Sequence, residues 1–257
     1  MKKTLILNWK MNPESFKMAK ELFDFVSEKT KDQIMIAPPY LYLKDLVNNQ
    51  NKKSKIKIIA QNVFWDLLGA YTGEISPLMI KKMGISGSIV GHSERRYILK
   101  EDDDLINKKI ISLIKNDLLA VLCVGETHKD SLNQALIFIK NQLKKDLSKI
   151  SNSINKISYL SAGRKNTKLI IAYEPVWSIG GGKPTDAERS ALIIKEIKKF
   201  VKEKHGLDVE VLYGGSVDCK NISSFLKYKE IDGFLVGSAS LKKSEISCII
   251  NKVAQNK

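Results

Sequence analysis

The feature that most constrains the fold of this chain is a regular alternation of eight short apolar runs with amphipathic segments. Each run has five to seven residues and is rich in aliphatic side chains, which is typical of buried parallel strands. The runs begin near Thr4, Gln33, Ile56, Gly87, Leu119, Leu169, Val209 and Gly233. No Pro-, Gly- or Ser-rich linker divides the 257 residues, and a barrel of eight βα units commonly takes about 250. The sequence therefore predicts an α/β protein, a single (β/α)8 barrel domain over residues 1–257.

The segments between the runs carry apolar residues three and four positions apart, as expected of helices that cover a sheet. Asn12-Pro13-Glu14 predicts the start of the first helix, with Asn12 as the N-cap, and Asp102-Asp103-Asp104 predicts a later start. A doubly wound open sheet is the alternative, but no GxGxxG follows the first run. The polar interval 151–168 predicts a surface excursion on the amino-terminal face of the barrel.

The charge and cysteine content narrow the classes of partner. The formal net charge is +15, but only four of the 43 basic residues are arginine, and no aromatic platform lies between the lysines. We therefore expect no nucleic-acid partner, although the field would attract a small anionic substrate. Cys123, Cys219 and Cys248 show no metal-ligand spacing and are expected to be free thiols. No apolar run is long enough to span a bilayer, so we expect a cytoplasmic protein without a membrane partner.

The sixth run ends at Glu174-Pro175, and a short apolar strip with three glycines follows it. Pro175 stiffens one end of this stretch and Gly180-Gly181-Gly182 loosens the other. Such a composition fits a lid that excludes water from the carboxylate of Glu174. It equally fits an ordinary loop whose Trp177 packs on the core.

In a barrel the carboxyl ends of all strands meet at one mouth, so the residues that end each run are expected to gather there. The polar side chains at these ends are Asn8, Lys10, Asn62, His92, Ser93, Glu94, Cys123, Glu126 and Glu174. The seventh and eighth runs end instead in Gly214-Gly215-Ser216 and Gly237-Ser238, which offer backbone N–H groups. Glycine-rich turns of this kind suit a phosphate, and Gly180 could add a further N–H.

The remaining groups suit proton transfer. Glu174 beside the lid is the natural base, Lys10 can neutralise an anion, and His92 can donate a hydrogen bond to a substrate carbonyl. This set, without a metal or a cofactor, predicts proton abstraction next to the carbonyl of a small sugar phosphate. Each residue also has a structural alternative: His92 could be only a turn hydrogen-bonder, and Cys123 is expected to pack at the mouth rather than act as a nucleophile. Glu126 is read as an acid at a helix start.

Taken in order, these motifs resemble the triosephosphate isomerase family, and they cover the chain from Thr4 to Leu241. The matching runs are Asn8-Trp9-Lys10-Met11-Asn12, Ala60-Gln61-Asn62-Val63, Gly69 to Ser76, Gly91-His92-Ser93-Glu94-Arg95-Arg96, Cys123-Val124-Gly125-Glu126, Ala172 to Trp177, Tyr213-Gly214-Gly215-Ser216-Val217 and Asp232 to Leu241.

The resemblance implies a TIM barrel of glycolysis and gluconeogenesis that interconverts D-glyceraldehyde 3-phosphate and dihydroxyacetone phosphate through an enediolate, without cofactor or metal. It assigns proton transfer to Glu174, carbonyl polarisation by a neutral imidazole to His92, and the oxyanion side to Asn8 and Lys10. The other implied residues are Gly180, Ser216, Gly237 and Ser238 at the phosphate, Glu94, Ser93 and Cys123 as supports, and Thr72 with Tyr71 at a homodimer contact.

Two departures from the family pattern carry expectations. The lid usually reads Ile-Gly-Thr-Gly, so Gly181 predicts slower closure. The eighth run usually continues Gly-Gly-Ala-Ser, so Ser238 would cost about 1 kcal/mol if its position needs a positive φ. Competing interpretations are another phosphate-binding barrel, such as an aldolase with a Schiff-base lysine in a late strand, and a barrel that has lost activity and persists as a binding protein.

Overall fold

The computed structural model describes residues 3–29, 34–51, 54–150, 168–179 and 185–256. The expected excursion therefore lies outside the described residues, apart from Lys168, and so does the glycine stretch Gly180-Gly181-Gly182.

Eight parallel strands form one sheet in the order β3-β2-β1-β8-β7-β6-β5-β4. They are β1 Thr4–Asn8, β2 Ile34–Ala37, β3 Lys57–Ile58, β4 Gly87–Val90, β5 Leu119–Val124, β6 Leu169–Tyr173, β7 Glu210–Tyr213 and β8 Gly233–Val236. The sheet closes between its two edges, where Ala60 N–H donates to Gly87 O at 2.8 Å and Ile89 N–H donates to Ala60 O at 2.9 Å. The predicted (β/α)8 barrel is confirmed, with a third strand shorter than the sequence suggested.

Helices cover the outside of the barrel and connect successive strands. They are α1 Phe16–Lys29, α2 Tyr40–Asn48, α3 Pro77–Lys82, α4 Ser93–Tyr97, α5 Asp103–Lys115, α6 Leu132–Asp146, α7 Ala187–His205, α8 Ile222–Leu226 and α9 Lys243–Gln255. Two short 3-10 helices, Val176–Ser178 and Ser238–Leu241, follow β6 and β8.

Successive strand residues face alternately inward and outward, and this divides the core into two layers. Ile6, Ile89, Val121 and Leu212 belong to the inner cluster that fills the barrel. Their strand neighbours pack outward against the helices in a larger cluster. Both faces of each strand are thus covered, which explains why the runs are apolar throughout.

The predicted helix starts fare differently. Asp102 caps α5 as expected, because its side chain accepts from Leu105 N–H at 2.8 Å. The prediction for Asn12 is wrong: α1 begins four residues later, at Phe16, and the Asn12–Pro13 peptide is cis.

The cysteine prediction is also corrected. Cys219, in the loop after β7, forms a disulfide with Cys248 of α9, and their Cα atoms are 5.6 Å apart. Only Cys123 is free among the three. The pairing joins positions 29 residues apart that have no CxxC or similar spacing, so only the packing of α9 beside this loop reveals it.

Among the described residues, no helix is both long and apolar enough to cross a membrane.

Candidate active site

The mouth at the carboxyl ends of the strands brings together residues from β1, β4 and β6. The loop after β4 supplies His92 and the residue after β6 is Glu174, both of which are buried. The His92 Nε2 atom lies 3.2 Å from Glu174 Oε1. Two side chains that are 82 positions apart in the sequence therefore face each other directly.

The two oxygens of Glu174 have different surroundings. Oε2 accepts a hydrogen bond from Ser93 N–H at 2.9 Å. Oε1 is shielded from solvent and accepts no hydrogen bond from any described residue. The carboxylate is thus held by one oxygen while the other is available.

Glycines on both sides make room for Glu174. A Cβ on Gly125, after β5, would lie 1.8 Å from Glu174 O, and a Cβ on Gly214, after β7, would lie 3.0 Å from Glu174 Cγ. Larger residues at either position would displace the backbone or the side chain of Glu174. These two glycines therefore set the depth at which the carboxylate lies.

The orientation of the His92 ring follows from the helix that it starts. His92 is the N-cap of α4, and its Nδ1 accepts from Glu94 N–H at 3.3 Å. The positive end of the helix therefore faces an unprotonated Nδ1. In the neutral ring the proton then lies on Nε2, the atom that faces Glu174.

Lys10 lies on the other side of the mouth, in a backbone conformation that few L-residues adopt. Its φ is +53°, which costs about 1–2 kcal/mol in the left-handed region. The strained turn is supported because Asn8 Oδ1 accepts from Lys10 N–H at 3.0 Å and Gln61 donates to Lys10 O at 2.7 Å. The Lys10 ammonium then pairs with Glu94 Oε1 at 2.7 Å. Asn8 is buried and its side chain stabilises the strained turn. The turn in this way holds the Lys10 ammonium in a fixed position.

The glycine-rich turn after β8 lies beside Lys10. A Cβ on Gly237 would be 3.4 Å from Lys10 Cε and 3.9 Å from Lys10 Nζ. Ser238 begins a 3-10 helix and is not among the non-glycine residues with positive φ, so the strain expected there is not present. After β7, Ser216 Oγ donates to Ser178 O at 2.6 Å, which ties this turn to the segment that follows Glu174. Gly180 lies outside the described residues.

Cys123 is buried within β5, on the inner face of the barrel. Burial raises the pKa of its thiol well above the ordinary 9.0, and the neighbouring negative charge of Glu174 raises the pKa further. A thiol in this state is a poor nucleophile at neutral pH, which agrees with a packing role.

Glu126 differs from its sequence-based interpretation. The helix α6 begins only at Leu132, and Glu126 is fully buried instead of starting it. Its Oε1 accepts from Tyr173 OH at 3.0 Å and from Trp177 Nε1 at 3.1 Å. It thereby links the strand before Glu174 to the segment after it. The sequence signal for this role was that the hydroxyl of Tyr173 and the indole N–H of Trp177, on either side of Glu174, need a hydrogen-bond acceptor.

Tyr71 and Thr72 lie on the long loop between β3 and α3, and both are exposed. Tyr71 packs on Phe64, with ring centroids 4.4 Å apart, and its hydroxyl donates to Asp66 at 3.0 Å. These contacts of Tyr71 stay within the loop, and neither residue has a described hydrogen bond to the mouth of its own barrel. The structure therefore separates both from the other predicted site residues.

The described residues contain no group of three or more His, Cys, Asp or Glu side chains that could hold a metal ion. The chemistry available at this mouth is that of a carboxylate, an imidazole, an ammonium and backbone N–H groups.

Comparison with known proteins places this mouth in a family. Residues 3–253 match the family model described as triosephosphate isomerase. The chain belongs to the triosephosphate isomerase family. It is 43% identical over 253 residues to the triosephosphate isomerase of Malacoplasma penetrans, covering 94% of this chain and 95% of that protein. It is 38% identical over 252 residues to that of Caldanaerobacter subterraneus subsp. tengcongensis (95% and 96%), and 38% identical over 259 residues to that of Finegoldia magna (98% and 99%).

The family match confirms the resemblance drawn from the motifs, and with it an isomerase on a TIM barrel. The match extends from before β1 to within α9, so the described mouth lies inside the matched range.

Proposed function

We propose that this chain, as one barrel domain over residues 1–257, interconverts D-glyceraldehyde 3-phosphate and dihydroxyacetone phosphate by moving a proton between adjacent carbons. Glu174 is the base and His92 is the neutral electrophile. The observation that carries this proposal is the free, buried Oε1 of Glu174 at 3.2 Å from His92 Nε2. The proton acceptor and the hydrogen-bond donor are in contact with each other, so both could act on a substrate carbonyl group and its neighbouring carbon placed beside them.

The reaction proceeds without a net change of atoms. Glu174 removes a proton from the carbon next to the carbonyl, the carbonyl oxygen gains negative charge, and His92 Nε2–H donates to that oxygen. The hydroxyl proton of the enediolate passes from one oxygen to the other through His92 Nε2, which donates its own proton to the former carbonyl oxygen and takes up the hydroxyl proton. Glu174 then reprotonates the other carbon, which completes the exchange of aldehyde and ketone. The Lys10 ammonium, held by its ion pair with Glu94, stabilises the charge on the oxygen together with Asn8.

The phosphate is assigned to backbone N–H groups of Ser216, Gly237 and Ser238, with Gly180 as a further donor. The support is the proximity of Gly237 to Lys10, which puts a fixed positive charge beside a turn without a side chain. A phosphate held there would fix the three-carbon chain with its carbonyl towards His92.

The same proposal includes a homodimer. Large apolar side chains are exposed on the loops after β1 and β3 and at the end of α4, and these include Met11 at 94%, Leu68 at 73% and Ile98 at 72%. Apolar side chains exposed together at one end of a barrel indicate a protein–protein interface. A second copy of the chain bound there would bring Tyr71 and Thr72 of one subunit to the mouth of the other. Light scattering after gel filtration should then give twice the mass of one chain, and Thr72→Arg should shift it towards the monomer.

We place the reaction in the cytoplasm, as a step of glycolysis and gluconeogenesis. Triose phosphates are charged and do not cross apolar barriers unaided, so the enzyme and the enzymes that make and consume its substrate need a common compartment.

The decisive experiment measures isomerisation of both triose phosphates by the purified protein and by Glu174→Gln. The variant keeps the size of the side chain and its bond from Ser93 N–H but removes the base, so kcat should fall by about 10²–10⁴. Glu203→Gln, an exposed change on α7, is the matched control and should leave kcat unchanged. A wild-type protein without activity, or a Glu174→Gln variant with wild-type kcat, would refute the proposal.

A further inference from the structure

Arg96 makes a set of contacts that the proposed reaction does not use. It lies on α4, one turn after His92, and its side chain is only 5% exposed. Its Nε donates to Gly91 O at 2.9 Å, and its Nη2 donates to Cys123 O at 3.0 Å. These carbonyls lie at the ends of β4 and β5, which are paired neighbours up to Val90 and Leu122. The guanidinium therefore continues the connection between two strands beyond their last ladder pair.

Two carboxylates fix the guanidinium from the outside. Asp146, the fully buried last residue of α6, contacts Nη2, and Asp103 of α5 contacts Nη1 at 2.8 Å. Lys145 pairs in turn with Asp103 at 3.2 Å. All five N–H groups of Arg96 thus point at acceptors, a geometry that only the planar fork of arginine can satisfy.

The guanidinium also packs against the backbone that leads into His92. A Cβ on Gly91 would lie 3.0 Å from Arg96 Nη2 and 3.3 Å from Cζ, and Gly91 has a φ of +68°. The carbonyl that Arg96 binds belongs to the peptide group whose nitrogen is that of His92. A rotation of this peptide group would move the His92 ring away from Glu174. Arg96 N–H donates to His92 O at 3.1 Å as part of the first turn of α4, but the hydrogen bonds of the Arg96 side chain go to other residues than His92 and Glu174.

We propose that Arg96, paired with Asp146, is a positioning residue that sets the distance between His92 and Glu174 by holding the Gly91 and Cys123 carbonyls together. This inference rests on the proposed role of His92. It assigns to Arg96 a share in carbonyl polarisation and none in phosphate binding, because the hydrogen bonds of its side chain within the described residues go to Gly91, Cys123, Asp103 and Asp146 and not to the turns after β7 and β8.

The test compares Arg96→Lys with Arg95→Lys. Lysine at 96 keeps the charge but cannot reach both carbonyls and both carboxylates, so kcat should fall at least about 30-fold while KM changes less than about threefold. Arg95, the next residue on the same helix, pairs with Glu101 at 2.6 Å and binds neither carbonyl. Its lysine variant should keep kcat within about twofold. In Arg96→Lys, the 15N resonances of the His92 ring should shift, whereas in Arg95→Lys they should not.

A chemical rescue separates positioning from general loss of structure. The side chain of Arg96 borders a cavity of about 370 Å³ that is also lined by Tyr97, Asp103 and Gln142. Millimolar guanidinium should enter this space in Arg96→Ala and raise kcat at least about tenfold, with no such effect on His92→Gln. If Arg96→Lys does not fold, Asp146→Asn provides the test, because it weakens the ion pair that holds the guanidinium. This variant should lower kcat and leave KM unchanged.

The outcomes distinguish this inference from the proposed function. If His92→Gln keeps the wild-type kcat, the role of His92 fails, and this inference fails with it. Suppose instead that His92→Gln loses kcat. The role of Arg96 alone is then overturned if folded Arg96→Lys keeps kcat within threefold of the wild type, or if Arg96→Lys lowers kcat and raises KM by similar factors. Unshifted His92 ring resonances in Arg96→Lys would overturn it as well.

Discussion

Substitution of Gly125 by alanine tests how closely the backbone around Glu174 is packed. The new Cβ would lie 1.8 Å from Glu174 O and 2.5 Å from Glu174 C. An ordinary carbon–oxygen contact is about 3.3 Å, so the two segments must separate by roughly 1.5 Å. Because Glu174 N–H is also held by Val124 O at 2.8 Å, the shift has to pass to the carboxylate.

A displacement of about 1 Å at a reacting group can cost about 10² in rate, so kcat of Gly125→Ala should fall by about 100-fold. Crowding of this kind in a packed core should also lower the free energy of unfolding by about 1–3 kcal/mol. A coupled spectrophotometric assay measures kcat, and urea denaturation measures stability and gives the folded fraction.

The matched control is Gly233→Ala at the opposite end of the barrel. Its Cβ would lie 1.9 Å from Thr4 O, so the steric conflict is nearly equal, but it occurs where β1 and β8 begin. The control should lose comparable stability and keep the kcat of its folded fraction. The reasoning is refuted if Gly125→Ala keeps kcat within threefold, or if both variants lose kcat equally.

Three further predictions follow from buried contacts. Burial raises the pKa of Asp146 to about 7, above its ordinary 3.8, so between these two pH values the folded state holds a proton that the unfolded chain releases. The free energy of unfolding therefore falls as the pH rises from about 4 to about 7. Asp146→Asn should remove this slope of about 1 kcal/mol per pH unit in urea titrations, and parallel curves for both proteins would contradict it. Trp177→Phe removes one donor to the buried Glu126 and should lower the free energy of unfolding by about 1.5–3 kcal/mol, whereas an unchanged urea midpoint would show that this bond contributes nothing. Under non-reducing denaturation, alkylation should label Cys123 alone, and Cys248→Ser should cost about 3–4 kcal/mol in oxidising buffer only; labelling of all three thiols would exclude the disulfide.

Much of the site could be predicted because each residue is delivered by a local pattern. The apolar run before Glu174 ends at Pro175, and that before His92 ends at Gly91, so both side chains had to follow parallel strands. In a barrel all such ends point to one mouth. The substrate class then follows from which polar groups and which glycine turns stand at those ends.

The sequence could not give the contacts that depend on how helices and loops pack. The sequence predicted that Glu126 is an acid at a helix start, whereas in the fold Glu126 lies between β6 and the segment that follows it and binds both. The sequence likewise predicted a free Cys219, whereas α9 packs beside its loop and brings Cys248 within bonding distance. Arg96 carried no signal beyond its motif, because its partners come from α5, α6 and two strands.

The sequence by itself determined the number of strands, their burial on both faces and the identity of the groups at their carboxyl ends, because these depend on short-range periodicity and turn chemistry. Only the tertiary structure decided that Glu174 Oε1 is free and faces His92 Nε2, and that a buried guanidinium bridges β4 and β5 behind them. Such distances arise from the packing of segments far apart in the chain, where a shift of one ångström changes the chemistry without changing any local pattern.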